Sequence, residues 1–593
     1  MKIVHSKGII PRKNPLQSGI CLLVLLAGAA LFCRSFFLDG AWPVTHEMLH
    51  PLVRLFEFDH ALKGGQFPVR WCDNLSAGYG YPFFNFYPPL SFFIAEIFHR
   101  MGANLALSWK LEILFFCWLG ALGVYGILRP LAGRFAALIG ALVFLFAPYH
   151  VMTVYVRGNI PEFTALCLWP LVFWAIHYSL RKLRDWRGAL IPVASLVIAA
   201  LILSHVLTSY MAVGNLLLWT LYCSGIWSRR RKKSAKLSPS KKILVAIAIA
   251  AFAAALSAFF WIPAILDLSH CRPFILTDFI RIQDHFVSPW QFVYPQWGWG
   301  LSLPGQNDGV SFQLGLAAWV LIVIALARWI SGGARRGRSL VAFSLSMLFL
   351  HLFLMTPFSK TIWSLVPGSS FMQFPWRLLI PASFWASLVA GMAAGDILRM
   401  FKSKKPCFKY GMCGLLLLSP ALAVLPYMRP LYFFDQIPLY EAPRLRGIMT
   451  NTTADEYLPK WVEKEPEFPS RWNIRLMKNG LATPVEKFSA YHGFIVDTTE
   501  PQPAAFDVFW FPGWKVFIDG QEIESKPLYP YGIIEWRTPP GKHNVEIRFT
   551  ETPLRRSADL ASLISLILAV IWLILAGVRS ISYSRLRNGQ HNH

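Results

Sequence analysis

Residues 43 to 71, PVTHEMLHPLVRLFEFDHALKGGQFPVRW, carry a dense group of ionisable side chains directly after the first strongly apolar run of the chain. The whole sequence has 593 residues, of which 55% are hydrophobic and only 15% are charged, and its mean hydropathy is +0.43. Such a composition over this length is typical of a membrane protein. The polar stretch therefore stands out in a chain whose composition is otherwise that of a membrane protein.

Apolar runs of about 18 to 24 residues have the length that crosses the roughly 30 Å hydrocarbon core as a helix. About twelve such runs are present, so the sequence predicts a polytopic α-helical membrane protein with about 12 transmembrane helices. The pair near residues 196 and 215, which only LSHVLTSY separates, and the run near 348 have the weakest pattern. The runs centre near residues 28, 117, 141, 171, 196, 215, 253, 320, 348, 387, 418 and 568.

Lys and Arg alternate between the two sides of the predicted membrane. With the basic tail MKIVHSKGIIPRK inside, every second connection is also basic, including LRKLRDWR, SRRRKKSAKLSPSKK and LRMFKSKKPCFK. This positive-inside pattern predicts both termini in the cytoplasm. It also explains the net charge of +25, so we expect no nucleic-acid partner. The first apolar run lacks a small-x-small cleavage site and predicts an uncleaved signal anchor.

Residues 430 to 556 have a different pattern. In FDVFWFPGWKVFIDGQEIESKPLYPYGIIEWRTPPGKHNVEIRFTE, apolar residues alternate with polar ones, and DG and PPGK are turn signals. The pattern predicts an external β-sandwich domain at 430–556, between a transmembrane domain at 1–429 and a final transmembrane helix with a cytoplasmic tail at 557–593. Its many aromatic residues, such as Trp514 and Trp536, either fill the sandwich core or stack on sugar rings.

The polar stretch after the first span supplies the first candidate site. Glu47 lies three residues before His50 and seven before Arg54, a spacing that places all three along one face of a helix. A carboxylate flanked by imidazoles serves as a general base for a hydroxyl, or binds a divalent cation with His46 and His50. The alternative is an interfacial helix with a solvated polar face.

Three further clusters lie on the same predicted side. In VRGNIPEF, Arg157 and Glu162 flank a turn, and Glu162 either contributes to a site or caps the next helix. His205 in LSHVLTSY is either a packed side chain or a proton carrier. In FMQFPWRLL, Gln373 and Arg377 lie at membrane-surface depth, where Arg377 either binds a lipid phosphate or anchors the chain at the interface.

The cysteines favour no metal site, because no CxxC or Cys/His ligand spacing is present. Cys72 and Cys271 are both predicted outside, either as a disulfide or as two buried thiols. No GxxxxGK[ST] or GxGxxG motif is present to hold nucleotide phosphates. A base, several cations and an apolar vestibule on one side of the membrane instead suit a transferase whose activated substrate is a lipid phosphate.

Several stretches resemble a known family. HEMLHPLVRLFEFDHALKGGQFPVRWCDNLSAGYGYPFFNFYPPL, RGNIPEFTALCLWPL, LSHVLTSY, QFPWRLL and TTADEYLPKWV are similar to bacterial membrane proteins with a 6-pyruvoyl-tetrahydropterin-synthase-related domain. Those proteins in turn resemble YfhO-like proteins and the GT-C superfamily of membrane glycosyltransferases. The resemblance covers most of the chain, and it implies a GT-C-like arrangement of helices in the bacterial inner (plasma) membrane.

The resemblance also implies an activity. A GT-C type hexosyltransferase transfers a sugar from a polyprenyl-phosphate donor to an envelope glycan or lipid on the external face, in contact with membrane lipids. Two other classes remain as alternatives, namely a lipid-linked glycan transporter and a non-catalytic envelope assembly protein. The sequence identifies no cofactor, although a divalent cation remains compatible with the histidines of the first loop.

The resemblance assigns roles to the candidate residues. GT-C enzymes use an acidic residue of the first external loop as catalytic base, which implies Glu47; the family pattern has Asp after the His, and Asp39, closer to the first span, is the alternative. His50 would orient the base, Arg157 and Arg377 would bind the donor phosphate, and Glu162 would contact the sugar or a cation. The remaining members of the predicted substrate-binding set are His46, Arg54, Arg70, His205 and Gln373.

Overall fold

A computed structural model describes residues 15–39, 42–182, 189–226, 237–272, 281–305, 307–333, 337–401, 405–434 and 455–589. The basic N-terminal tail, the first part of the basic loop SRRRKKSAKLSPSKK, the segment 435–454 and the end of the C-terminal tail lie outside these residues. The predicted boundary of the β-sandwich near residue 430 therefore borders a segment outside the described residues.

The described chain is helical over most of its length as far as residue 427, and it carries a β-region before one last helix. Met152–Arg157 form a π-helical segment between two α-helices. The helices are α1 (Pro15–Phe32), α2 (Arg34–Leu38), α3 (His50–Lys63), α4 (Phe83–Phe86), α5 (Leu90–Arg100), α6 (Leu105–Ala132), α7 (Arg134–Leu145), α8 (Pro148–Val151), α9 (Ile160–Lys182), α10 (Leu190–Ile202), α11 (Val206–Ser224), α12 (Pro239–Leu256), α13 (Ala258–Leu266), α14 (Leu316–Ile330), α15 (Arg338–Leu354), α16 (Lys360–Leu365), α17 (Leu379–Met400), α18 (Pro406–Val424) and α19 (Pro553–Gly589).

Seven of the described helices are long and apolar enough to cross a membrane, and the number is nine if two bent pairs each count as one span. Three more predicted runs, near residues 28, 196 and 320, coincide with the shorter apolar helical stretches Ser18–Phe32, Leu190–Ile202 and Leu316–Ile330. Every predicted run thus centres on a helix, and the prediction of a helical membrane protein is confirmed. A count of twelve spans stays a prediction, because some of the helices are short or broken.

Helix α17 lies at the centre of the bundle. The most apolar stretch of α17 is completely buried inside the protein, whereas the most apolar stretch of α19 is mostly exposed. Small residues allow this burial, since Gly140 of α7 faces Gly391 of α17 so closely that a Cβ at Gly140 would lie 3.1 Å from the Gly391 Cα. Glycine contacts of this kind let membrane helices approach at backbone distance.

Helices α6 and α9 also approach each other closely at a glycine, Gly123 of α6, and this contact gives a first testable prediction. A Cβ at Gly123 would lie 2.8 Å from the backbone of Pro170 and Leu171. Gly123→Ala should therefore lower the free energy of unfolding by about 1–3 kcal/mol through overpacking. The matched control is Gly214→Ala in α11, where a Cβ meets no atom within 4 Å. Thermal unfolding in detergent checks both, and equal effects of the two substitutions would contradict the close packing.

Two antiparallel sheets form the β-region. The strand orders are β3-β6-β10-β9 and β4-β5-β11-β7-β8, and a separate two-residue pairing joins β1 to β2. The strands are β1 (Trp42–Pro43), β2 (Phe433–Phe434), β3 (Ile474–Leu476), β4 (Gly480–Phe488), β5 (Tyr491–Thr498), β6 (Gln502–Phe509), β7 (Trp514–Ile518), β8 (Gln521–Ile523), β9 (Lys526–Leu528), β10 (Ile533–Thr538) and β11 (Gly541–Phe549).

The predicted strand pattern is confirmed. Val516, Val545 and Ile547 are buried, as their alternation requires. The DG turn joins β7 to β8 with positive φ at both central residues, +50° at Asp519 and +82° at Gly520, as a two-residue hairpin turn needs. The sheets are observed, whereas their arrangement as a complete sandwich stays a prediction.

The predicted first external loop, which lies between α2 and α5, packs against this β-region. The Trp71 ring lies 5.4 Å from the rings of Trp514 and Phe549, and the Ala490 amide donates to the Asp73 carboxylate at 3.0 Å. Trp514 is buried in these contacts, and Trp536 is buried as well, which favours a core role for both over sugar stacking. The first loop thus connects the helical bundle to the sheets. Cys72 and Cys271 are two free, buried thiols rather than a disulfide.

His492 of β5 gives a pH-dependent prediction for the β-region. Its ring is buried 4.8 Å from Phe506 of the other sheet, and burial, assisted by Lys487, lowers its pKa to about 3. Because the unfolded chain takes up this proton first as the pH falls below about 6.5, acidification to pH 5 should cost about 2 kcal/mol of stability. His492→Phe should lose less stability over the same interval in a comparison of unfolding temperatures at pH 7.5 and pH 5. An unchanged pH dependence would contradict this assignment.

Candidate functional site

The candidate site forms where the first external loop meets the turn before α9. The backbone amides of His46 and Glu47 donate to the carbonyls of Val156 at 3.0 Å and Arg157 at 3.1 Å. Gly158 has a φ of +70° and leaves no room for a side chain against the first loop. Two polar clusters that are more than a hundred residues apart in the sequence therefore become neighbours.

The first cluster consists of Glu47, His50 and Arg54. Although α3 begins only at His50, Arg54 Nη1 donates to Glu47 Oε2 at 3.1 Å, and His50 Nδ1 lies 3.8 Å from the same oxygen. The Arg54 guanidinium also lies 5.1 Å from the ring centroids of both Phe83 and Tyr87. The Glu47 side chain retains 29% exposure. A fixed cation thus holds a carboxylate that solutes can still reach.

The imidazoles of His46 and His50 are neutral at neutral pH, because the pKa of each is lowered. Burial lowers the pKa of His50, and the Arg54 charge lowers it further against the opposing effect of Glu47. Burial also lowers the pKa of His46, whose Nε2 lies 3.1 Å from the Trp299 carbonyl oxygen. The neutral imidazole of His50 adds no second positive charge next to Arg54, and its Nδ1 lies 3.4 Å from Arg54 Nη2, from which it can accept a hydrogen bond.

The second cluster surrounds Glu162, which is fully buried in the first turn of α9. Arg157 binds both of its carboxylate oxygens, at 2.5 Å and 2.8 Å, and the Tyr149 hydroxyl donates to Oε1 at 2.6 Å. Arg377 Nε lies 3.6 Å from Oε2. Two guanidinium groups therefore share one carboxylate in this cluster. The unbalanced positive charge makes the position favourable for an anion.

The loop before α17 holds Arg377 in place. Arg377 Nη1 donates to the Met372 carbonyl at 2.9 Å and to Gln373 Oε1 at 3.2 Å. The adjacent Trp376 ring lies 4.9 Å from the Arg157 guanidinium carbon. The predicted Gln373 and Arg377 thus belong to the Glu162 cluster, and their loop covers both guanidinium groups.

His205 lies beside this cluster as the N-cap of α11, where its Nδ1 accepts from the Thr208 amide at 3.3 Å. Burial lowers its pKa to about 4, although the Glu162 charge opposes the shift. It is therefore a neutral, capping imidazole close to Glu162 and Arg377.

Two predicted residues lie away from these contacts. Asp39 is exposed at the end of α2. Arg70 is buried and forms 2.7 Å ion pairs with Glu551 and Asp559, near the start of α19. Among the described residues, neither side chain contacts the Glu47 or the Glu162 cluster. Their predicted roles as base and substrate ligand gain no support from this placement.

The sequence-based prediction missed two tyrosines. Tyr149 donates to Glu162, and Tyr87 packs on Arg54 beside Glu47. Tyr149 follows a proline in APYH, and Tyr87 precedes one in NFYPPL. These local sequences do not indicate a site, and only the folded structure places the two tyrosines beside Glu162 and Arg54. A small cavity borders Glu47, Arg54 and Tyr87, and its volume of about 10 Å³ holds about one water molecule. Any molecule much larger than water therefore enters only if the surrounding loops move apart.

No metal centre is evident in the described part of the chain, where no group of three or more His, Cys, Asp or Glu side chains is arranged to hold a metal ion. His46 Nε2 contacts the Trp299 carbonyl, and Glu47 Oε2 accepts from Arg54.

Comparison with known families confirms one part of the expected resemblance. Residues 84–278 match the family described as 6-pyruvoyl-tetrahydropterin synthase related domain, membrane protein. This segment contains Arg157, Glu162 and His205, whereas Glu47 and Arg377 lie outside it. No curated protein sequence matches the chain.

Two kinds of solved structure are similar at low identity. Arabinofuranosyltransferase AftD from Mycobacteria matches 71% of this chain at 18% identity and a TM-score of 0.46, and the chain spans only 28% of the length of that protein. The second structure is the oligosaccharyltransferase of Archaeoglobus fulgidus, tethered with an acceptor peptide. The match covers 72% of this chain and 55% of the oligosaccharyltransferase chain, at 14% identity and a TM-score of 0.35. Similarity at this level does not establish a shared activity.

Proposed function

We propose that this protein is a GT-C type membrane glycosyltransferase that transfers a sugar from a polyprenyl-phosphate donor to an envelope glycan or lipid. The observation that carries the proposal is the sharing of one buried carboxylate, Glu162, between Arg157 and Arg377. The two guanidinium groups and one carboxylate of this cluster leave one positive charge unbalanced. The second carboxylate, that of Glu47, lies nearby and remains accessible. An anion site beside a general base is the arrangement that transfer from a lipid phosphate requires.

In this proposal the guanidinium groups of Arg157 and Arg377 bind the phosphate of the donor. They stabilise the charge that develops on its oxygen as the bond between phosphate and sugar breaks. Glu162 has both oxygens engaged by Arg157 and Tyr149, so we assign it to positioning the guanidiniums rather than to contact with the sugar. Gln373 keeps Arg377 directed toward the cluster.

Glu47 takes the proton of the acceptor hydroxyl. The hydroxyl oxygen attacks the anomeric carbon, the carbon–oxygen bond to phosphate breaks, and polyprenyl phosphate leaves with the bonding electron pair. Arg54 and the neutral His50 fix the carboxylate from one side and leave its exposed side for the acceptor. Asp39 remains the alternative base, although it lies exposed and apart from both clusters.

The proposed location is the inner membrane of a bacterium, with the site on the external face and both termini in the cytoplasm. The alternation of basic and non-basic connections supports this orientation. Reporter fusions at both termini test it, and an external signal from either terminus would overturn the topology.

The activity is tested with purified protein in vesicles that contain a polyprenyl-phosphate hexose and extracted envelope lipids and glycans. We expect free polyprenyl phosphate to accumulate only when acceptor is present, and a chelator arm tests the dependence on a divalent cation. Movement of intact labelled donor across the vesicle membrane without cleavage would instead identify a transporter. Neither cleavage nor movement across a range of donors and acceptors would favour an assembly protein.

A further inference from the structure

A second polar cavity lies at the opposite end of α9 from Glu162. Lys182 at the end of that helix is twenty residues from Glu162, which corresponds to about 30 Å along a helix. The cavity has a volume of about 810 Å³ and lies between α1, α6 and α9. Such a volume is in the range of sites that hold small molecules and lipid headgroups. Its lining consists of Leu22, Leu122, Tyr125, Gly126, Arg129, Pro130, Trp174, His177, Tyr178, Arg181 and Lys182.

The cavity is basic. Arg129, Arg181 and Lys182 line it together with His177, and no Asp or Glu is part of the lining. Within the described ranges, none of the three cations has a carboxylate within 4 Å. Arg181 Nη1 instead lies 3.2 Å from His177 Nε2, and Arg129 Nη2 lies 3.4 Å from the Ser18 hydroxyl. Several positive charges thus converge here, and no carboxylate of the described part of the chain pairs with them.

A buried hydroxyl in the same lining adds an independent observation. Tyr125 is 5% exposed, yet its hydroxyl finds no hydrogen-bonding oxygen or nitrogen among the described residues. Its polar neighbour is the Cys21 thiol, which is only a weak hydrogen-bonding group. The Arg129 guanidinium lies 6.0 Å from the Tyr125 ring centroid. A ligand that reaches the two residues together would satisfy both of them.

The other walls of the cavity are apolar and reach the surface of the bundle. Leu22 and Tyr178 are substantially exposed, and Trp174 packs against Gly126 so closely that any Cβ there would clash. The cavity thus combines a cationic end with an apolar, outward-facing wall. This division matches a ligand with a charged head and a hydrocarbon chain.

We propose that this cavity is a binding site for a lipid phosphate from the leaflet at the basic end of the bundle. The phosphate contacts Arg129, Arg181 and Lys182, and it accepts a hydrogen bond from Tyr125. The hydrocarbon chain lies along Leu22, Leu122 and Trp174. Basic pockets between membrane helices at the cytoplasmic side are a recurring form of headgroup recognition. The proposal is independent of the glycosyl-transfer reaction, because the two sites lie at opposite ends of α9.

The site is tested by native mass spectrometry of the full-length protein in detergent. Three lipids are added separately: phosphatidylglycerol, a polyprenyl phosphate, and zwitterionic phosphatidylcholine. We expect one tightly retained copy of at least one of the first two lipids, and at least about tenfold weaker retention of phosphatidylcholine. A preference for the monoester identifies polyprenyl phosphate as the ligand, whereas equal or stronger retention of phosphatidylglycerol identifies a phospholipid.

The double variant Arg129→Gln/Arg181→Gln should weaken this retention by at least about tenfold. The matched control is Lys409→Gln, an exposed cation near the start of α18 and outside the cavity lining. If the double variant fails to fold, the exposed Lys182→Gln and the conservative Tyr125→Phe replace it, and each should weaken retention by a smaller factor. Equal retention of phosphatidylcholine, unchanged retention in the variants, or an equal loss in Lys409→Gln would overturn the proposal.

Discussion

Glu47→Gln is expected to lower the rate of sugar transfer by about 100-fold to 10,000-fold, the usual contribution of a positioned general base. The substitution keeps the length of the side chain and its ability to accept a hydrogen bond from Arg54, which lies 3.1 Å away. It removes the capacity to take the acceptor proton together with the negative charge that faces Arg54, and because the Glu47 side chain is 29% exposed, solvent screens the loss of that charge. The unfolding temperature should therefore change little, and the amount of donor lipid bound at equilibrium should be close to that of the unmodified protein. The measurement is release of polyprenyl phosphate from the vesicle system.

The control is Asp39→Asn, which should leave turnover within about twofold because this side chain is exposed and contacts neither cluster. Loss of turnover in Asp39→Asn alone would move the base to Asp39. Full turnover in both variants would remove the first external loop from the proton transfer. Loss of donor binding in Glu47→Gln would indicate that the carboxylate organises the site and does not act as the base.

The sequence predicts the elements of this fold better than it predicts their contacts. Twelve apolar runs coincide with helices, and the alternation around Val516 and Val545 coincides with buried strands. These features depend on periodicity within one segment, so a single sequence contains them. The breaks in the helices are less visible, since Pro357 marks the 89° bend between α15 and α16 but does not by itself predict the angle.

For the candidate site, too, features within one segment are predictable from the sequence, whereas contacts between segments are not. Glu47 and Arg54 are close as predicted, although Glu47 lies in the turn before α3 and not on the helix that the spacing implied, and Glu162 lies in a first helical turn as predicted. The pairing of the 46–47 backbone with 156–157 has no signature in either segment, because both segments are irregular where they meet. Tyr149 becomes a ligand of Glu162 only through the π-helical segment that follows it, and single-sequence periodicity does not predict such a segment.

Arg70 illustrates how a long-range contact changes an interpretation. Its place in the first external loop suggested a substrate ligand, but its partners Glu551 and Asp559 lie more than 480 residues further along the chain. The amide of Asn85 joins this group to a second pair, because its Nδ2 donates to Asp267 Oδ2 at 3.0 Å. The first loop, the segment after α13 and the start of α19 are thereby joined by buried charges.

Asp267→Asn is expected to lower the free energy of unfolding by about 3–5 kcal/mol, the cost of removing one partner of a buried ion pair. Arg555 is fully buried, and its Nε donates to Asp267 Oδ2 at 2.8 Å. Its two terminal nitrogens have no hydrogen-bond partner among the described residues, so neutralising Asp267 removes the hydrogen-bonded counter-charge of a buried guanidinium and leaves only the more distant charge of Glu551. Thermal unfolding in detergent should show a clear fall in the midpoint.

The matched control is Glu522→Gln in the exposed Lys515–Glu522 pair, whose side chains are 40% and 52% exposed. Removing a solvated pair of this kind should change stability by less than about 1 kcal/mol. Equal effects of the two substitutions would show that Asp267 and Arg555 are hydrated in the membrane-embedded protein. A large effect of Asp267→Asn alone would show that the buried pair of Asp267 and Arg555 holds α19 against the segment after α13, in the charge network to which Arg70 also belongs.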